Sequence, residues 1–286
     1  MNFQIKQSER REAKIKLALK GISGSGKSLS ALLLAKGLCS VDLSQTVVID
    51  TENSIELYAH VGNFHVLNLP KPFSPENYIK AIETCESAGF EIIIIDSISH
   101  CWHHLLQIHG SMQGNSFTNW SKITPLQNAF VQRILDSNSH IICTMRSKQD
   151  YLIQTQNNKT TIEKTGLKPI QREGIEYEFT TVLDLDINHK AKAVKDRTGL
   201  FADKERFTIT ESTGKQILSW ANNEVRVDDI KQEIQKTTSI DQLTAIYKLY
   251  PSMYSMLSQD FEQQKDKIYT NQNLVQNGNN AHYPRS

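Results

Sequence analysis

From Lys14 to Met145 the chain alternates short apolar runs with longer stretches of helical spacing. "KIKLALKG" (Lys14 to Gly21) sets Ile15, Leu17 and Leu19 between charged or small residues, the period of a strand, and runs into a glycine-rich turn. "SLSALLLAKGLC" has helical spacing, "TVVID" reads as a strand, "SIELYAHV" as a short helix or turn, and "FHVLNL" as a strand. "SPENYIKAIETCESAG" opens on Ser/Pro and closes on glycine, which predicts a helix. "FEIIIID" is continuously apolar, as expected of a parallel strand buried on both faces. A helix is predicted from about Pro125 to Asp136, followed by the strand "HIICTM". The alternation predicts an α/β fold with a mostly parallel central sheet flanked by helices.

Two segments break this rhythm. Trp102 to Asn119 is polar and irregular and reads as a loop, and residues 147–175 suggest a hairpin around "QNNK". "YEFTTVLDLDIN" and "KAKAVKD" read as later strands joined by a tight "NHK" turn. From Glu211 the pattern becomes helical. The expected organisation is a basic arm (1–14), a core (15–222), a helical segment (223–268) and an Asn/Gln-rich tail (269–286) expected to be disordered.

Composition narrows the picture only modestly. At 286 residues the chain can bury one substantial core and still carry an appendage. A net charge of +1 excludes a uniformly basic nucleic-acid binder but leaves local patches open. Cys39, Cys85, Cys101 and Cys143 have no metal-ligand spacing and fit small buried thiols in a reducing compartment. The charged start lacks a leader pattern, and no apolar run is long enough for a bilayer. The expectation is a soluble cytoplasmic protein with no membrane partner.

Candidate chemistry begins with "GISGSGKS", Gly21 to Ser28, which satisfies G-x-x-x-x-G-K-[ST] between a predicted strand and a predicted helix. Gly21, Gly24 and Gly26, with Ser23 and Ser25 between them, let backbone N–H groups turn toward phosphate oxygens, and the helix opening at Leu29 adds its positive end. Lys27 is expected to reach the β- and γ-phosphates of ATP, and Ser28 to bind Mg²⁺. Asp50 and Asp96 compete to be the second acid for the metal; the more apolar strand favours Asp96. The residue after Asp96 is Ser97, so a water-polarising carboxylate has to come from elsewhere. On spacing alone Glu52 fits that role or that of a solvated loop acid equally well.

At these residues the chain resembles the RecA/RadA class of recombination ATPases. "VVIDTENSIELYA" is similar to the segment carrying that family's catalytic glutamate, "IIIIDSIS" to its Walker B strand, and "IICTMRSK" to the strand entering its second DNA-binding loop. "GISGSGKS", "TMRSKQDY", "PIQREGIEYEFT" and "KDRTGLF" extend the resemblance to phage-encoded RecA-like ATPases associated with single-strand annealing, over roughly residues 12 to 222. The resemblance implies a RecA-like core in which Glu52 orients the attacking water. It implies that Lys195 and Arg197 reach a neighbouring subunit's ATP, and that Tyr58 lies near the adenine. Thr144 stands where RecA has a glutamine that senses the γ-phosphate, which puts the ATP-dependent switching of that loop in doubt.

Residues 146–174 carry Arg146, Lys148, Lys159, Lys164, Lys168 and Arg172 against three acids, with Tyr151 among them. Cations that track phosphates and an aromatic for stacking suit single-stranded DNA, although charge alone also fits a solvated hairpin. The resemblance favours the DNA reading, and places a first DNA-binding loop around "HGSMQGNSFTNW". It implies a phage or prophage ATP hydrolase acting in a bacterial host as a ring or filament with ATP at subunit interfaces. Annealing or homologous recombination, with a single-strand-binding protein as a further partner, is the expected activity. A RecA-fold helicase or helicase loader and an ATP-dependent regulatory protein that does not bind DNA are the alternatives.

Overall fold

The computed structural model describes residues 13–39, 42–156, 159–222, 227–249 and 254–279. The chain divides into two compact units, the first ending at Asn222 and the second starting at Asn223.

Among the described residues the first unit has nine strands: β1 (Lys16–Gly21), β2 (Thr46–Asp50), β3 (His65–Asn68), β4 (Ile92–Asp96), β5 (His140–Gln156), β6 (Lys159–Pro169), β7 (Thr181–Leu185), β8 (Lys190–Asp196) and β9 (Phe207–Thr208). They run in the order β3-β2-β4-β5-β1-β7-β8-β9, with β6 paired to β5. Every pairing from β3 to β7 is parallel, and β7–β8, β8–β9 and β5–β6 are antiparallel. The expected mostly parallel sheet is therefore present, and the expected hairpin pairs Thr155 with Thr160 and Gln156 with Lys159. Because β5 lies between β1 and β4, the chain inserts one strand between the glycine-rich turn and the acid that ends β4.

Strand periodicity explains the layering. Leu17, Leu19, Ile92 and Ile94 pack on one face with α1 (Lys27–Leu38) and α5 (Glu211–Ala221). Their alternates Ala18, Ile93 and Ile95 pack on the other with α2 (Pro75–Ser87), α3 (Ser99–Ser111) and α4 (Ser116–Leu135). The α1–α5 contact is close because two glycines meet. A Cβ on Gly37 would lie 2.0 Å from the Glu211 carbonyl, and one on Gly214 would lie 2.2 Å from that of Leu34.

The segment Trp102 to Asn119 departs from its expected loop. It is mostly helix, and only residues 112–115 join α3 to α4. Asn115 caps α4 by accepting from the Phe117 N–H at 2.8 Å, and Trp120 stacks on His109 at 4.1 Å and on Trp102 at 5.8 Å. Those contacts nucleate α4 well before Pro125, whose missing N–H removes only one bond from a helix already started.

In the second unit α6 (Val227–Lys236), α7 (Ile240–Leu249) and α8 (Tyr254–Asn279) enclose a core of Ile230, Ile234, Leu243, Leu257, Phe261 and Ile268. The helix runs to Asn279, past the expected end of the helical segment at 268, because extending a formed helix is far cheaper than starting one. Residues 280–286 of the expected tail, and 1–12 of the basic arm, lie outside the described residues. Among the described residues no helix is long and apolar enough to cross a membrane.

The start of β1 is fastened to the start of β5. The Ile15 N–H donates to His140 Nδ1 at 3.1 Å, and the buried Lys16 ammonium donates to the Ser137 and Ser139 carbonyls at 2.7 and 2.6 Å. Burial, reinforced by Lys14 and Lys16, lowers the His140 pKa to about 4. The folded protein thus holds a neutral imidazole while the unfolded chain, with an ordinary histidine near pH 6.5, takes up a proton. Stability should fall as pH drops from about 6.5 to about 4, by at most about 3 kcal/mol from this group. His140→Asn, which keeps an acceptor for Ile15, should flatten that part of a plot of urea midpoint against pH.

Candidate active site

β1 ends at Gly21, level with Leu185 of β7 and Arg146 of β5, so the glycine-rich turn rises from the middle of the sheet. A side chain on Gly21 would meet the Leu185 carbonyl at 2.6 Å. Gly24 and Gly26 adopt φ of 79° and 83°, the left-handed region where other residues are strained. Gly26 precedes α1 and gives it no side-chain cap, so the first N–H groups of a twelve-residue helix are left to a ligand. Ser25 Oγ is buried beneath the turn with no hydrogen-bond partner among the described residues. Lys27 Nζ donates to the Ile22 carbonyl at 2.7 Å, across the turn where phosphates would lie, and burial lowers its pKa. A helix start without a cap, two left-handed glycines and a partly desolvated lysine fit a nucleotide's phosphates.

Asp96 ends β4 and is 2% exposed. Ser28 Oγ donates to its Oδ2 at 2.5 Å, and Thr144 Oγ1 donates to its Oδ1. Burial raises the Asp96 pKa, and the two hydroxyl donors oppose that rise. A serine hydroxyl beside a carboxylate at the phosphate turn is a hard-oxygen donor set that fits Mg²⁺. The Asp96–Ser97 peptide is cis. Thr51 seams the loops after β2 and β4: its Oγ1 donates to the Asp96 carbonyl at 3.0 Å and accepts from the Ser97 N–H at 2.9 Å. Tyr78 adds a bond to the Ser97 carbonyl at 2.8 Å.

Asp50 and Asp96 are paired directly across β2 and β4, yet their side chains do different things. Asp50, 1% exposed, accepts four backbone N–H groups: Glu52 at 2.7 Å and Asn53 at 3.0 Å on Oδ1, Ser54 at 2.9 Å and Ile55 at 3.1 Å on Oδ2. It is the acid that shapes the turn presenting Glu52. Glu52 Oε1 accepts from both Nε and Nη2 of Arg146 at 2.9 Å. Both side chains line a cavity of about 670 Å³ together with Ser23, Gly24, Gly26, Lys27, Ser28, Leu29, Tyr58 and Asp96. The turn, Asp96 and Glu52 thus converge, although they come from separate parts of the chain.

Other residues singled out in the sequence lie elsewhere. Gly21 and Ser25 sit behind the turn, outside the cavity wall. Thr144 does not line the cavity; fully buried, its hydroxyl is directed at Asp96 and not at a nucleotide. Lys195 and Arg197 both donate to the Tyr177 carbonyl. Through the register Ala18–Val182–Lys195 they lie some three residues, ~10 Å, below the phosphate turn, and neither lines the cavity beside it. Lys148 is exposed on β5, Lys168 lies 3.9 Å from Glu173, and Arg172 Nη1 donates to Asn128 of α4 at 2.8 Å. Tyr151 and Lys164 are cross-strand partners in the hairpin, and Lys159 pairs with Gln156; the side chains of all three lie outside the described residues.

The sequence reading missed His189, Thr208 and Ile209, which line the cavity. His189 Nδ1 lies 3.0 Å from where a Gly26 side chain would begin, and its own φ is 60°. The "NHK" turn was legible, but that it faces the phosphate turn follows only from β7 pairing with β1. Arg146, expected at DNA, proves equally a residue of this cavity.

The two neighbouring acids make a sharp contrast. Asp50→Ala, which strands four N–H groups, should lower folding stability by about 3 kcal/mol or more, whereas Glu52→Gln should change it by no more than about 1 kcal/mol. Urea unfolding of both variants checks this. A search of curated proteins finds none that matches the chain. A family model described as an AAA domain matches residues 13–215, spanning the phosphate turn, Glu52, Asp96 and the strand inserted between them. The chain belongs to the AAA-domain family, and its first unit is a P-loop NTPase domain.

Proposed function

We propose that the protein is a Mg²⁺-dependent ATP hydrolase that binds single-stranded DNA and promotes annealing or homologous recombination, working as a homo-oligomer with ATP at subunit interfaces. The observation that carries this reading is the Glu52–Arg146 pair. Its glutamate faces the phosphate turn, and its arginine sits on the strand that continues into the β5–β6 hairpin. The resemblance to RecA-like annealing ATPases, in which this hairpin's segment meets DNA, supports the same assignment.

In the proposed reaction Lys27 and the N–H groups of residues 24–28 hold the β- and γ-phosphates. Ser28 and Asp96 would hold Mg²⁺, which supplies charge neutralisation at the phosphate oxygens when bound. Glu52 orients a water for in-line attack on the γ-phosphorus. A bond from that water's oxygen to phosphorus forms as the bond to the bridging oxygen breaks, and ADP leaves with the electron pair. Lys195 and Arg197, too far from their own turn, are assigned to the nucleotide of a neighbouring copy. Thr144, already bonded to Asp96, would respond to the metal through that carboxylate and not through direct contact with phosphate.

Lys27→Ala should abolish ATP hydrolysis. Glu52→Gln should slow turnover on the order of a hundredfold or more while a fluorescent ATP analogue still binds; ordinary turnover in Glu52→Gln would overturn the assignment. Single-stranded DNA should stimulate hydrolysis and raise the oligomer mass measured by light scattering. Unwinding of a tailed duplex without annealing would move the reading to a helicase or loader. No binding of single strands in any nucleotide state would move it to a regulatory protein.

A further inference from the structure

On the far side of the Glu52–Arg146 pair lies a second cavity of about 800 Å³, within the roughly 300–1,000 Å³ typical of ligand sites. Glu52 and Arg146 line both cavities and are the partition between them. The outer wall comes from the loop after β3, with Lys71 and Phe73, and from the start of α3, with His100 and His103. The Phe73 and His100 rings stack with centroids 5.1 Å apart and planes 16° from parallel. His100 is fixed there by its Nδ1, 2.7 Å from Thr51 Oγ1. Lys71 is exposed, and Asn53 and Gln107 bring amides to the same cavity.

We infer that this groove binds one nucleotide unit of single-stranded DNA, with its phosphate at Lys71 and Arg146 and its base against the Phe73–His100 stack. The inference rests on the proposed DNA-dependent ATPase reading and names a contact surface outside the β5–β6 hairpin. The chemistry fits that ligand on three counts. Ring faces suit an unpaired base, which a duplex would withhold. Amides and an imidazole, which offer both donors and acceptors, suit base edges. Among the described residues of the wall, two cations stand against one acid, Glu52. Binding there has a consequence for the first cavity: a phosphate at Arg146 competes with the Glu52 carboxylate for the same guanidinium. DNA entry would then loosen Glu52 on the side that faces ATP.

The test uses the full chain with Mg²⁺, a non-hydrolysable ATP analogue and a fluorescent oligothymidylate, with anisotropy followed as salt is varied. Lys71→Gln should reduce the slope of log affinity against log salt by about 0.7, the loss of one phosphate contact on a single strand. Phe73→Ala should weaken binding roughly fivefold or more, and Phe73→Trp should restore it. In both weakened variants the ratio of DNA-stimulated to unstimulated ATP turnover should fall. If wild type binds the oligonucleotide and Lys71→Gln and Phe73→Ala bind it equally well with unchanged slopes, the groove is not a DNA site, while the function proposed above stands. A change in oligomer mass without a change in DNA affinity would assign the groove to contacts between copies and overturn the inference. If wild type binds no single-stranded DNA at all, both readings fall together.

Discussion

The structure around the phosphate turn depends on keeping one carboxylate out of water. Asp96 sits at the end of a strand buried on both faces, where ionisation is disfavoured unless the protein supplies donors. Ser28 and Thr144 supply them from opposite sides, and a cation at Ser28 would complete the compensation. This need fixes the neighbourhood. β5 has to lie beside β4 to bring Thr144, and α1 has to begin where Ser28 reaches the strand end. The seam of Thr51, Ser97 and Tyr78 holds the two following loops in place.

That order makes a division of labour between acids possible. Asp50 and Asp96 are equivalent in register, but Asp50 spends its lone pairs on four N–H groups of the next turn. The turn it ties down carries Glu52 out to a partly exposed position between two cavities. Arg146 meets it there because β5 crosses the crest of the sheet opposite Gly21. Asp96 accepts from two hydroxyls, Asp50 organises backbone, and Glu52 reaches the arginine of a third strand. The arginine that holds it belongs to the strand leading into the basic hairpin, so the two regions are physically continuous.

Much of this was legible in the order of residues. The phosphate turn declares itself because only glycines can take left-handed φ there and only certain side chains suit the chemistry. The sheet declares itself through one alternating run and several continuously apolar ones, and the β5–β6 and β7–β8 hairpins through their turn residues. The α3–α4 region was misread because capping by Asn115 and stacking of Trp120 on His109 and Trp102 outweigh a polar composition and an interior proline. Residues 269–279 of the expected tail are helical for a related reason: α8 continues into an Asn/Gln-rich stretch that would not nucleate a helix by itself.

Residue order was enough for the α/β class and the phosphate turn, and it made Glu52 and Asp96 candidates, since each rests on local backbone demands and short-range spacing. Tertiary structure alone decided what those residues touch. It set Arg146 on Glu52, turned Thr144 toward Asp96, brought His189 against Gly26, and carried Lys195 and Arg197 away from their own turn. The reason is geometric: strand order in a parallel sheet is set by long crossovers, so residues far apart in the chain become neighbours through pairings that no local pattern encodes.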